Sequence, residues 1–327
     1  MPYTPTLRLK RLRNTPAIRD MVRETRLHVA KIIAPLFIHA QLSEKKAIGS
    51  MPGHYQLRLQ DLDAEIAELS QLGIRAVLLF GIPAFKDAQG SACLAEDGII
   101  QQAIRHIKTI HPQMTVIADL CLCEYTDHGH CGILNGQQID NDATLLQLAK
   151  QAVSLAQAGA DWIAPSANTD GMVGAVREAL DEAGFQHVAI LSYAVKYSSC
   201  LYGPFREAAQ GAPQFGDRKT YQMDPANGQE ALREAALDLQ EGADLLMVKP
   251  GMLYLDVIYR IKQQFPEVPL AAYQVSGEFA MLKAAAAQGL LNEQEAMLES
   301  ITALHRAGAD LIITYFAKEL ARVLQQR

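Results

Sequence analysis

The sequence predicts an α/β protein, a closed (β/α)8 TIM barrel preceded by an extended N-terminal arm. Short runs that are apolar on both faces alternate with helix-period segments, as a parallel sheet covered by helices requires. Eight such units fit into about 290 residues, the size of one such barrel. Polar residues gather at the C-terminal ends of the runs. An open doubly wound sheet is the structural alternative, but no Gly-x-Gly-x-x-Gly follows the first run.

A recurring phrase marks three of the units. A helix-period segment ends at glycine, an Ala-Asp pair follows, and a short apolar run closes on a polar residue. It occurs as Gly159-Ala160-Asp161 leading to Ser166, as Gly242-Ala243-Asp244 leading to Lys249, and as Gly308-Ala309-Asp310 leading to Tyr315. Each instance reads as helix, C-cap glycine and buried parallel strand. In chain order, strands are expected at 32–38, 74–81, 114–122, 162–166, 187–196, 245–249, 269–275 and 311–315. Helices are expected at 61–72, 99–110, 142–157, 172–182, 229–240, 254–264, 278–288 and 293–307. Residues 1–30 form the arm and 31–327 the barrel. The Ser/Gly/Pro/Arg-rich stretch 198–228 has no clear helix and reads as a lid over the mouth.

Composition narrows the function classes. Of 327 residues, 49% are hydrophobic and 20% charged, as in an ordinary globular chain. The most apolar stretch, 76–85, is broken by Gly81 and Pro83 and falls short of a bilayer span. A net charge of -6 gives no attraction to phosphate backbones, so neither membrane nor nucleic acid is an expected partner. Five cysteines, three of them clustered as Cys121, Cys123 and Cys131, point to metal ligation in a reducing compartment. The basic N-terminus lacks an apolar segment behind it, which excludes a secretory signal. Asp20 and Glu24 interrupt its positive run, which favours a subunit-docking arm over a transit peptide.

Two lysines end apolar runs on neighbouring strands: Lys196 after 189–195 and Lys249 after 245–248. In a barrel both amines enter one mouth. There desolvation and mutual repulsion disfavour the charged form, and a neutral amine attacks carbonyls to form Schiff bases. The segment from Asp119 to Gly132 leaves the third strand and turns back through a glycine-flanked loop. Its three thiols can meet one soft cation, with a fourth position open as catalytic zinc requires; His128 or His130 could instead close the site structurally. Arg206 and Arg218 sit in the expected lid, where guanidinium forks could hold a carboxylate substrate. Ser276 and Tyr315, at the ends of strands seven and eight, could offer hydroxyls to a second carboxylate. A lysine-dependent aldolase with structural zinc and a non-catalytic zinc-storing barrel are the alternatives.

Six segments in order and spacing resemble the porphobilinogen synthase (5-aminolevulinate dehydratase) family. They are Arg11 to Arg13 with 21–25, the cysteine run 121–132, Ser192 to Tyr197, Leu201 to Arg206, Met247 to Gly251, and Tyr273 to Glu278. The resemblance covers essentially the whole chain. It implies a cytoplasmic lyase of heme biosynthesis, a homo-octamer under allosteric control, that condenses two 5-aminolevulinate molecules to porphobilinogen. By the same resemblance, Lys249 binds the first substrate molecule as a Schiff base, Lys196 engages the second, and Asp119 is an active-site acid. Ser276 and Tyr315 then meet the first carboxylate, and Arg206, Arg218 and Gln222 the second. Cys121, Cys123 and Cys131 match the zinc ligands of the zinc-dependent branch, and Glu234 falls where some members bind a regulatory magnesium. The chain departs from many relatives at Ala167-Asn168-Thr169, where methionines are common before Asp-Gly.

Overall fold

The computed structural model describes residues 5–326. Eight parallel strands follow the arm: β1 Ile32–His39, β2 Ala76–Ile82, β3 Thr115–Leu120, β4 Trp162–Pro165, β5 Ala189–Lys196, β6 Leu245–Lys249, β7 Leu270–Gln274 and β8 Leu311–Thr314. Neighbours in sequence are neighbours in the sheet, and β8 returns to β1 through the pairs Ile32↔Ile312 and Ile33↔Ile313. The barrel is therefore closed. Around it run α1 Leu62–Gln71, α2 Ile99–Ile110, α3 Asn141–Gln157, α4 Met172–Glu182, α5 Glu230–Gln240, α6 Leu255–Gln264, α7 Ser276–Ala287, α8 Glu293–Ala307 and α9 Ala317–Gln325. Every residue of β6 and β7 is buried, which is why these strands read as continuous apolar runs.

The repeated Gly-Ala-Asp phrase has one structural cause at all three places. Gly159, Gly242 and Gly308 take φ of 103°, 106° and 123°, a left-handed turn that ends the helix where a side chain would be strained. Each aspartate then clamps the start of the preceding strand at two points. The backbone N–H of Asp244 donates to the Ile190 carbonyl at 3.0 Å, and its carboxylate accepts from Ile190 N–H at 2.8 Å. Asp161 does the same to Val116, and Asp310 to Leu270, at carboxylate distances of 2.7 and 3.0 Å. Asp244→Ala leaves the Ile190 N–H unpaired at the β5 edge and is expected to destabilise the protein by about 1–3 kcal/mol, read by urea denaturation.

Some elements were not visible in the sequence. A further helix, α9, follows β8 and buries Ala317, Leu320 and Ala321. Between β1 and α1 a small hairpin pairs Lys46–Ala47 with Tyr55–Leu57, and the latter lies parallel to β1 at Phe37↔Gln56 and Ile38↔Leu57. The expected third strand stops at Leu120, which leaves Cys121 in the loop. Stretch 198–228 holds a short helix, Gly203–Ala208, opened by Pro204 in its first turn. No residue from 5 to 31 is buried, and Leu7, Leu9 and Met21 are 79%, 68% and 82% exposed. No helix among the described residues is long and apolar enough to cross a membrane.

Candidate active site

Lys196 and Lys249 are the last residues of β5 and β6 and stand opposite each other in register. Their amines share a wall because β5 carries an extra residue. Leu246 pairs with Ser192, yet Val248 pairs with Val195, so the alternation of faces slips by one within β5. Ser192 consequently points out to α5, where its hydroxyl bonds Asp238, while Tyr193 and Lys196 both point in. The Tyr193 ring lies 5.5 Å from Lys196 Nζ and 5.0 Å from Lys249 Nζ. The rings of Tyr273, Phe205 and Tyr202 complete an aromatic surround for Lys249 at 4.5, 5.1 and 5.4 Å. Strict two-residue alternation from Lys196 would have turned Tyr193 away, which is why the sequence did not reveal it.

Burial, and after it the Lys196 charge, bring Lys249 down to about 7, against the pull of Asp119 in the other direction. Lys196 donates from Nζ to the Ser166 carbonyl. Asp119, near the end of β3, accepts from Ser166 Oγ at 3.0 Å through one oxygen and has no partner on the other. Burial pushes its carboxyl up to about 6, although both lysines oppose that rise.

Directly after β3, the sulfurs of Cys121 and Cys123 lie 3.3 Å apart, and all three thiols, Cys131 included, fall within 4.8 Å of one another. All three are buried and none of the five cysteines is in a disulfide. Hydrogen bonds from Cys121 and Cys123 hold the Cys131 thiol well below its usual range, with Arg218 adding to the effect. A buried set of three thiols, one of them favoured as thiolate, fits a soft divalent ion such as zinc. The histidines do not join it. His130 uses its ring nitrogens on Phe215 O at 3.0 Å and Tyr221 Oη at 3.2 Å, and His128 Nδ1 accepts from His130 N–H at 3.1 Å. Among the described residues no other three-ligand group of this kind forms.

The stretch after β5 is docked on this cysteine loop. Arg218 donates to the carbonyls of Gly129 at 2.8 Å and Gly211 at 2.6 Å, and Gln214 N–H donates to His128 O at 3.0 Å. Gly129 has φ +70°, and a Cβ there would stand 2.2 Å from Ala212 O, so only glycine permits the approach. Beneath the docked segment lies a small cavity of about 20 Å³, bounded by Lys196, Lys249, Asp119, Arg206, Arg218 and Gln222 among others. Buried polar atoms without partners converge here: Asp119 Oδ1, Arg206 Nε, Arg218 Nε and both amide atoms of Gln222. Such atoms are rare in folded proteins, and their concentration marks a place where a polar ligand binds.

Ser276 and Tyr315 do not line this cavity, and Tyr315 borders another, with His54. Ser276 Oγ accepts from Phe205 N–H at 2.9 Å, and the Tyr315 hydroxyl lies 3.0 Å from that of Tyr273. Glu278, in the first turn of α7, accepts from Val275 N–H at 2.8 Å and Met252 N–H at 2.7 Å, which fixes the turn that follows Lys249. Glu234 is half-buried on α5, apart from the cavity, where burial and the charges of Asp170 and Glu230 raise its carboxyl above the usual range. Asn168 takes φ +61°, a conformation asparagine tolerates better than most residues, which gives a physical reason for its place in the departing Ala167-Asn168-Thr169.

Comparison with known proteins gives concordant results. The family model described as delta-aminolevulinic acid dehydratase matches residues 6–323. A delta-aminolevulinic acid dehydratase of Halalkalibacterium halodurans is 56% identical over 319 residues, 98% of this chain and 97% of the relative. One of Bacillus subtilis is 55% identical over 319 residues, 98% of each chain. A crystal structure of the Toxoplasma gondii enzyme, in complex with the reaction product porphobilinogen, superposes with a TM-score of 0.96 at 42% identity, over 100% of this chain and 93% of that one.

Proposed function

The chain belongs to the delta-aminolevulinic acid dehydratase family and condenses two 5-aminolevulinate molecules to porphobilinogen; on that premise we propose that Lys249 and Lys196 perform the condensation as Schiff bases. The observation that carries this is the pair of lysines opposite each other over one tyrosine ring, both lining one cavity. Lys249, near 7, holds about half its amine neutral at neutral pH, against roughly one part in a thousand or less for an ordinary lysine. The neutral amine adds to a substrate ketone, and loss of water gives an iminium that draws electrons from the neighbouring carbon and acidifies it. Lys196 engages the second molecule in the same way, and Asp119, near 6, is suited to exchange protons with the reacting atoms.

Arg206, Arg218 and Gln222 bind the second carboxylate, using the side-chain atoms that have no protein partner. The first carboxylate takes Ser276 and Tyr315 by replacing their present partners, Phe205 N–H and the Tyr273 hydroxyl. Cys121, Cys123 and Cys131 would hold a zinc ion, which would supply Lewis-acid or base chemistry to the reaction. Stretch 198–228 serves as the lid, which excludes water and orients the two molecules. Gly129→Ala pushes 211–213 off the cysteine loop, and kcat/KM is expected to fall on the order of a hundredfold, read by steady-state kinetics.

The exposed apolar side chains of residues 5–31 support an arm that docks on neighbouring subunits of a homo-octamer. Glu234, with Asp170 and Glu230 close enough to act on it, is the proposed ligand of a regulatory magnesium ion. The free cysteines suit a cytoplasmic enzyme. Borohydride treatment in the presence of 5-aminolevulinate, followed by intact-mass measurement, tests the central proposal. A stable substrate adduct is expected, and a protein that turns over substrate without ever yielding one would refute Schiff-base catalysis.

A further inference from the structure

Three tyrosine rings face Lys249, and the hydroxyls of two of them are committed to the protein. Tyr202 donates to the Tyr197 carbonyl at 2.7 Å, and the Tyr273 hydroxyl lies 3.0 Å from that of Tyr315. The third hydroxyl, on Tyr193, is buried and has no partner. Nothing in the packing of the barrel asks for that oxygen. Phenylalanine would supply the same ring between Lys196 and Lys249 without burying an unpaired polar group. Burial, with the charge of Asp119 adding to it, raises the Tyr193 hydroxyl well above the usual tyrosine range, so it stays protonated and free to donate.

The chemistry at Lys249 brings the missing acceptor. When the neutral amine adds to the substrate ketone, a carbon–nitrogen bond forms and the electron pair of the C=O double bond moves onto oxygen; a nitrogen proton then passes to that oxygen, giving a carbinolamine. Negative charge develops on one atom, bonded to the carbon that Lys249 attacks. A donor fixed beforehand in a water-poor site stabilises such charge without having to turn towards it. Tyr193, with its ring 5.0 Å from Lys249 Nζ and its hydroxyl unclaimed, is placed as such a donor. We propose that the Tyr193 hydroxyl is a catalytic hydrogen-bond donor to the ketone oxygen of the first substrate molecule during attack by Lys249. Tyr193 keeps its own proton throughout. The assignment rests on the Schiff-base reading given above and adds a catalytic residue to it.

Tyr193→Phe removes the oxygen and keeps the ring. The zinc-loaded enzyme is mixed with 5-aminolevulinate and quenched with borohydride at increasing times. In the variant the adduct on Lys249 is expected to form roughly a hundredfold more slowly than in the parent, the effect of losing one preorganised donor. Its pH midpoint stays as in the parent, because the amine owes its low value to burial and to Lys196. Thermal stability holds or rises, since an unpaired buried hydroxyl is gone. An adduct that forms as fast as in the parent overturns the assignment. So does slower formation with a displaced midpoint, which would place the effect on the amine and not on the ketone. Should Tyr193→Phe fail to fold, 3-fluorotyrosine at position 193 decides. Its hydroxyl is the stronger donor, so adduct formation is expected to quicken, and an unchanged or slower rate overturns the assignment. A parent enzyme that traps no substrate would instead overturn the Schiff-base reading on which the assignment rests.

Discussion

Lys249→Met is expected to abolish the borohydride-trapped adduct and to lower kcat on the order of ten-thousandfold or more, the scale seen when a covalent nucleophile is removed. Methionine preserves much of the side-chain volume, so the aromatic surround of Tyr193, Tyr273, Phe205 and Tyr202 stays filled. Removing a buried amine also removes a desolvation penalty, so thermal stability holds or rises while chemistry is lost. Loss of activity together with loss of folding would not fit this account. A variant that still gave the adduct on Lys196 alone would show that the two lysines engage substrate in the opposite order.

The second large effect is expected at the cysteines. Cys131→Ala takes away the thiol most inclined to be a thiolate and leaves two sulfurs, too few for the proposed site. Zinc measured by elemental analysis falls to below one ion per subunit. Turnover falls roughly a thousandfold, corresponding to several kcal/mol of lost charge stabilisation. The borohydride adduct on Lys249 persists, because that amine owes its reactivity to burial and to Lys196. Undiminished turnover without zinc would demote the metal to a structural role.

Most of the barrel was legible because its strands are covered on both faces. A run such as Leu245 to Lys249 has no solvent side to encode, and helices 99–110, 172–182 and 293–307 agree residue for residue with α2, α4 and α8. The Gly-Ala-Asp phrase was readable for a reason that became clear only in three dimensions, the two-point clamp on the preceding strand. Helix Gly203–Ala208 was hidden because tertiary contacts hold it, among them Phe205 N–H on Ser276 Oγ. The hairpin at 46–57 was hidden because its strands are too short to show a period.

In the site, the lysines and cysteines were legible by position and spacing, and their neighbours were not. Tyr193 required knowledge of the bulge in β5, since alternation places it on the wrong face. Nothing local in the sequence tells of the bond between Glu124 and Gly81, 43 residues earlier. His130 illustrates the opposite error. Its spacing suited a metal ligand, but its ring belongs to the docked segment through Phe215 and Tyr221.

The central claim is that two amines share one mouth and that the charge of one helps to unprotonate the other. It is tested most directly by the pH dependence of adduct formation at Lys249 in the parent and in Lys196→Met. In the parent, trapping falls about tenfold per pH unit below an apparent pKa of about 7, because only the neutral amine attacks. Removing the neighbouring ammonium relieves the repulsion, so the midpoint moves upward in Lys196→Met, while burial keeps it below that of a free lysine. A midpoint that stays where it was, or moves down, contradicts the claim.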